Sequence, residues 1–133
     1  MVEAERPIGS PIAVLNQVVT EVASIPSLGA GTYELHAQAI LTTGATVWAT
    51  EYHIVVTTTA APTLTGLPNK GGGAGDHQVW AIAQGSVFPV GPMRIFLPTS
   101  GTVRLNVYAT FGTNGTNGSG NLNAFGYIRA ELQ

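Results

Sequence analysis

The sequence predicts an all-β protein, a single-domain antiparallel β-sandwich or jelly roll. Apolar and polar residues alternate through residues 102–111 and again through residues 122–132, which is the period of a strand with one buried face. About seven or eight such runs are separated by segments rich in Gly, Asn or Pro, a spacing typical of sandwiches. The 133 residues are enough for one domain with its own core. We therefore expect an extended N-terminal arm at residues 1–11, lying outside the core, and one domain at residues 12–133.

The two terminal runs are predicted to form one long β-hairpin, closed by a turn rich in Gly and Asn. The register that sets Arg104 opposite Glu131 also sets Tyr108 opposite Tyr127, and it avoids a like-charge pair. Charged and aromatic side chains share the polar face of this hairpin. Aromatic residues are enriched in interface cores, so we predict an oligomer interface there, with stacking on a glycan as the alternative. The predicted interface residues are Arg104, Tyr108, Phe125, Tyr127, Arg129 and Glu131.

A second hairpin is predicted over residues 32–56, with Tyr33, Leu35 and Ala39 on the face of its first strand that points to the core. One register sets Glu34 opposite His53 and His36 opposite Glu51, so that two acid–imidazole pairs form across the strands. Histidines and carboxylates on adjacent strands are also ligands for zinc or iron. Ion pairing explains the same spacing without a metal, so we predict cross-strand ion pairs and no metal site. Because imidazoles titrate near neutral pH, an interface built on these pairs would respond to pH.

Two further segments leave alternatives open. Residues 12–25 fit the spacing of a helix as well as that of a strand, and their β-branched content favours the strand. Residues 26–31 are then a turn. Asp76 and His77 could form half of a catalytic pair, but no recognisable nucleophile motif accompanies them. The sequence therefore predicts no catalytic residue and no cofactor.

Composition restricts the kinds of partner. Charged residues make up 9% of the chain, far below the ~25% of an average soluble domain, so we expect partners to cover part of the surface. The net charge is −2 and the five basic residues are scattered, which argues against nucleic-acid binding. The chain has no cysteine, which excludes disulfides and thiolate metal sites. No apolar run approaches the ~20 residues of a membrane span.

Three stretches resemble the jelly-roll structural proteins of bacteriophages: GTYELHAQA at residues 31–39, TVRLNVYATF at residues 102–111 and AFGYIRAEL at residues 124–132. Those jelly rolls are similar to tumour necrosis factor and complement-head domains, whose last strands carry endings of this kind. The resemblance covers roughly residues 28–60 and 100–133. It implies a non-enzymatic virion component, usually trimeric.

Among phage roles, we expect a capsid decoration (cement) protein, because the chain starts at Met1 with a short arm and no stalk. Residues 1–10 contain no apolar signal segment, so we expect synthesis in the host cytoplasm and a final location on the capsid surface. The expected partners are copies of the chain, as a trimer or alternatively a dimer, and the major capsid protein. A tail-fibre or spike tip that binds a receptor or glycan is the alternative. A metal-dependent cupin-like enzyme, using the four residues of the acid–imidazole pairs, is the third hypothesis.

Overall fold

The computed structural model describes residues 1–42, 47–58, 70–72, 80–82, 86–112 and 122–133. Within these ranges the chain forms ten β-strands and no helix, and every strand pairing is antiparallel. The predicted all-β class is confirmed. The strands are β1 Val2–Arg6, β2 Ile12–Val14, β3 Thr20–Leu28, β4 Gly31–Thr42, β5 Val47–Thr58, β6 Lys70–Gly72, β7 Trp80–Ile82, β8 Ser86–Leu97, β9 Gly101–Gly112 and β10 Leu122–Leu132.

The strands form two five-stranded sheets that pack against each other. Sheet I has the order β1-β10-β4-β8, with β2 also paired to β10. Sheet II has the order β3-β9-β5-β6, with β7 also paired to β5. From β2 to β5, and again from β8 to β10, each strand lies in the sheet opposite to the strand before it. Two antiparallel sheets packed face to face form a β-sandwich, so the predicted sandwich is confirmed, and the jelly roll stays a prediction.

Alternate residues of the long strands fill the space between the sheets, because successive side chains of a strand point to opposite faces. The inward faces predicted for the last two long strands are confirmed. On β4, the predicted core residues Tyr33, Leu35 and Ala39 are buried as well. The buried apolar residues on the inward side of β9 are Val103, Leu105, Val107, Ala109 and Phe111, and those of β10 are Leu122, Ala124, Ile128 and Ala130.

Both predicted hairpins are wrong, because their strands lie in opposite sheets. β9 pairs with β3 and β5, whereas β10 pairs with β1, β2 and β4. In the same way, β4 pairs with β10 and β8, whereas β5 pairs with β9, β6 and β7. In a sandwich, a chain that crosses from one sheet to the other keeps the same alternate residues facing the core. The apolar pattern is therefore identical for a hairpin and for a crossing between sheets.

The expectation that residues 1–11 form an arm outside the core is corrected. The segment is extended, but its first part is the edge strand β1, paired with β10 from Val2 opposite Ala130 to Arg6 opposite Gly126. Ala4 packs against the core. Arg6 donates a hydrogen bond from Nε to the carbonyl oxygen of Val22, at 2.7 Å, and so ties sheet I to sheet II.

Residues 12–25 are extended, as their β-branched content favours, but they form two strands in different sheets. The corner between β2 and β3 contains Gln17, with a φ of 59°, whose backbone N–H donates to the carbonyl oxygen of Ala109 at 2.8 Å. The side-chain oxygen of Asn16 accepts a hydrogen bond from the backbone N–H of Phe111, at 2.8 Å. β3 then continues to Leu28, so the turn expected at residues 26–31 is shorter than predicted.

Candidate interaction surface

The six predicted interface residues do not lie on one surface. Four of them, Phe125, Tyr127, Arg129 and Glu131, follow the outward side of β10 in sheet I. The other two belong to β9 in sheet II. The prediction of a single interface face is corrected, because it depended on the hairpin between β9 and β10.

The outward side of β9 is largely covered within the chain. Tyr108 is 7% exposed, Thr110 is 7% exposed and Asn106 is fully buried. Arg104 pairs through Nε with the Glu21 carboxylate, at 2.9 Å. Tyr108 therefore offers little surface to a partner, and β9 is a strand buried on both sides over much of its length.

Sheet I presents the more open outer face, and its register arranges the side chains in rows across the strands. One row is apolar and runs from Phe125 on β10 through Ile40 on β4 to Val87 on β8. We call this set the outer face of sheet I. Its members are Glu3 and Glu5 on β1, Phe125, Tyr127, Arg129 and Glu131 on β10, Thr32, Glu34, His36, Gln38 and Ile40 on β4, and Val87, Pro89, Arg94 and Phe96 on β8.

Two pairs of charged or titratable side chains on this face form within the chain. Arg129 contacts the Glu3 carboxylate through Nε at 3.0 Å, and its guanidinium carbon lies 4.4 Å from the centre of the Tyr127 ring. The His36 Nε2 atom lies 2.8 Å from the Glu34 carboxylate. The paired side chains are 38–45% exposed, and ion pairs this open to water typically contribute less than ~1 kcal/mol each.

The predicted acid–imidazole pairs across two neighbouring strands are corrected as well. Glu34 and His36 lie on β4 in sheet I, whereas Glu51 and His53 lie on β5 in sheet II, where the backbone register sets them opposite Thr110 and Tyr108. Glu34 pairs instead with His36, two residues along its own strand. Their spacing in the sequence was the available signal, because residues i and i+2 share one face of a strand.

This placement removes the geometric basis of the metal hypothesis, which required all four side chains on adjacent strands. Among the residues that the structure describes, no group of three or more His, Cys, Asp or Glu side chains is placed to hold a metal ion. Asp76 and His77, and the glycine-rich segment before them, lie outside the described residues.

A depression of about 240 Å³ lies on the outer face of sheet I, beside the ion pairs. Typical pockets for small molecules have volumes of ~300–1,000 Å³ and are mostly apolar. This depression is smaller, and most of the side chains that line it carry a titratable group. Its size suits one sugar ring or one side chain of a partner. The lining residues are Met1, Glu34, His36, Tyr127, Arg129 and Glu131.

Large exposed apolar side chains occur at both edges of sheet I. Val87 is 51% exposed and Phe96 is 69% exposed, both on the edge strand β8. Ile8, Leu15 and Val18 are 75%, 61% and 45% exposed in the turns on either side of β2, at the opposite edge. Sequence reasoning missed these residues, because an apolar residue in an alternating run looks the same whether water or protein covers it.

Comparisons of this chain with protein-family models, with curated proteins and with solved structures find no match. In the part of the chain that the structure describes, no helix has the length and apolar character needed to cross a membrane. The exposed surface of the β-sandwich is therefore the feature from which a function can be inferred.

Proposed function

We propose that this chain is a non-enzymatic structural protein of a virion: a capsid decoration protein that packs against copies of itself and against major capsid subunits. The observation that carries the proposal is the presence of large exposed apolar side chains at two opposite edges of sheet I. A protein that staples neighbours together needs contact surfaces in two directions. The phage resemblance supports the virion context, and the 9% content of charged residues supports a surface that partners cover.

The size of the exposed groups favours binding through many weak contacts. Complete burial of a Val, Leu or Phe side chain contributes ~1.5–3 kcal/mol, so the partly exposed residues at one edge contribute a few kcal/mol. Free association of two proteins costs ~4–15 kcal/mol in lost motion. A single edge is therefore a weak binding site, and a regular shell that engages several edges at once provides the missing free energy.

We assign the edge that carries Ile8, Leu15 and Val18 to the shell, because it is opposite to the edge strand β8 and so provides the second direction of contact that a staple needs. The edge strand β8 and the outer face of sheet I are assigned to contacts between copies. Leu15 and Leu132 form a matched pair for a test, since they are the same residue type and are 61% and 64% exposed.

The test is co-sedimentation with capsids of the virus that encodes the chain, assembled without it. Wild-type protein and Leu132→Ser should bind equally, whereas Leu15→Ser should bind about tenfold more weakly, because an exposed leucine buried on binding contributes ~1–2 kcal/mol. Wild-type protein that stays in the supernatant, or turnover of a small molecule by a monomer, would overturn the proposal.

The runner-up is a tail-fibre or spike tip that binds a receptor or glycan. The depression on the outer face of sheet I favours it, because an aromatic ring at Tyr127 stands beside carboxylates and a guanidinium that could bond sugar hydroxyls. The ring is also approached by Arg129, which competes with stacking of a sugar. Specific hits on a glycan array that are lost in Tyr127→Ala would favour this role over capsid decoration.

A further inference from the structure

We infer that the outer face of sheet I is the contact between two copies of this chain, related by a twofold axis that lies along β4. This inference rests on the self-association in the proposed function and specifies its surface and symmetry. β4 is the central strand of the three that carry the rows, with β10 on one side and β8 on the other. A rotation of 180° about this axis places β10 of one copy over β8 of the second copy. Positions along the strands do not change, so each row of side chains faces the same row of the second copy.

The apolar row is complementary to itself under this rotation. Phe125 of one copy faces Val87 of the second copy, and this contact occurs twice. Ile40 lies between them in the row and faces Ile40 of the second copy on the axis. The row therefore becomes a continuous apolar strip across the dimer.

Charge selects the position of the axis. Glu131, Glu34 and Arg94 lie in one row, so an axis along β4 sets Glu131 opposite Arg94 of the second copy, again twice. An axis between β10 and β4 would instead set Glu131 opposite Glu34 of the second copy, twice, and like charges placed directly opposite are destabilising. The axis along β4 has one cost, since the two Glu34 carboxylates approach each other, each with Arg94 as its neighbour in the row.

The available area agrees with a weak, specific dimer. Strands lie ~4.8 Å apart and rise ~3.3 Å per residue, so the four main strands of sheet I cover about 600 Å² of flat surface. Two copies together then bury about 1,200 Å², which is the lower end of specific interfaces. The other sheet is a poorer candidate, because Asn106, Tyr108 and Thr110 on its outward side are already buried.

Cross-linking tests this geometry directly. The chain has no cysteine, so one substitution introduces one thiol. Face-to-face sheets lie ~10 Å apart, too far for a direct disulfide, and a short bismaleimide reagent is therefore used. Ile40→Cys should cross-link to itself. Arg94→Cys and Glu131→Cys should each fail alone and should cross-link when the two proteins are mixed. Ser27→Cys, at an exposed position on β3 of sheet II, is the control and should not cross-link.

Charge reversal tests the same contact without a reagent. Glu131→Arg and Arg94→Glu should each raise the dimer dissociation constant by about tenfold or more, because each turns two attractive contacts into two repulsive ones. The double reversal should return the constant to within about threefold of wild type. Glu34→Gln should tighten the dimer, because it removes the repulsion on the axis. Sedimentation equilibrium measures all four constants, and thermal unfolding checks that each variant is folded.

The outcomes separate the two proposals. Suppose that the chain self-associates but that Ile40→Cys cross-links no better than Ser27→Cys, or that the double reversal binds no better than the single reversals. Either result overturns the twofold contact and leaves the proposed function intact. A chain that is monomeric even at millimolar concentration overturns both.

Discussion

Gly126 is the position where a single methyl group should disrupt the fold most. It lies on β10 opposite Ala39 of β4, with a φ of 150° that side chains rarely adopt. A Cβ atom there would overlap the carbonyl oxygen of Gln38 and would lie 3.0 Å from its carbonyl carbon and 3.1 Å from the Cα atom of Ala39. All three atoms belong to the backbone of β4, so no side-chain rotation relieves the clash.

The cost of Gly126→Ala follows from two effects. The strained backbone contributes ~1–3 kcal/mol, and forcing two central strands apart contributes a further ~1–3 kcal/mol, as overpacking does in cores. We expect the free energy of unfolding to fall by about 2–6 kcal/mol and the melting temperature to fall by more than about 5 °C.

Urea unfolding followed by tryptophan fluorescence measures this loss, at one protein concentration for all variants because self-association adds apparent stability. Gly9→Ala is the matched control, since a Cβ at Gly9 meets no atom within 4 Å, and it should change stability by less than ~0.5 kcal/mol. If Gly126→Ala were as stable as Gly9→Ala, the close approach of β10 and β4 at this position would be refuted.

Three further predictions concern side chains that join separate parts of the sandwich. Asn16→Ala should cost ~1–2 kcal/mol in urea unfolding, because the backbone N–H of Phe111 loses its acceptor; an unchanged midpoint would contradict the role of this corner. Arg6→Met should accelerate hydrogen exchange in β1 more than in β4, because the hydrogen bond from Arg6 to the Val22 carbonyl is lost. Equal acceleration in both strands would argue against the view that this hydrogen bond holds β1 in particular. Glu3→Gln should lower the free energy of unfolding by less than ~1 kcal/mol in thermal unfolding, because the ion pair of Glu3 with Arg129 is half exposed, and the difference from wild type should shrink as salt is added. A loss of stability that salt leaves unchanged would show that the contact does not act as an ion pair.

The inward-facing residues could be predicted from the sequence, because burial on one side leaves a period of two. The alternation on β9 identified Val103, Leu105 and Val107 as core residues, and all three are fully buried. The same alternation on β4 identified Leu35 and Ala39, which are fully buried as well. This information is local, since each strand carries it regardless of its neighbours.

The strand partners could not be predicted in this way, because pairing is not local. A glycine-rich turn between two alternating runs is typical of a hairpin, and a crossing between sheets gives the same pattern. Charge pairing offered no independent check. The register that set Glu34 opposite His53 arose because each of the two strands carries a glutamate and a histidine two residues apart. That spacing follows from two polar side chains sharing one face of a strand, so it needs no pairing between the two strands. The actual partner of Glu34 is His36, within its own strand.

The shift of the candidate interface to sheet I follows from the same correction. Once Tyr108 is separated from Tyr127, the aromatic stripe ceases to exist as one surface, and exposure decides which part of it can bind. Tyr108 is buried, whereas Phe96 and Val87 are open to water on sheet I. Val87 and Phe96, which no sequence pattern singled out, therefore contribute more to the proposed contact than Arg104 and Tyr108, which the predicted hairpin did single out.

The distribution of charge explains how such a face can avoid association with the wrong partners. Of the seven acidic residues in the chain, four lie on the outer face of sheet I: Glu3, Glu5, Glu34 and Glu131. They stand in rows between the apolar side chains, so a partner that covers the apolar strip must also meet these carboxylates. A surface without basic groups at matching positions pays a desolvation and repulsion cost, whereas a second copy supplies Arg94 at the level of Glu131. In the proposed dimer these charges make the association selective, and for that reason their reversal should change the choice of partner more than it changes the stability of the fold.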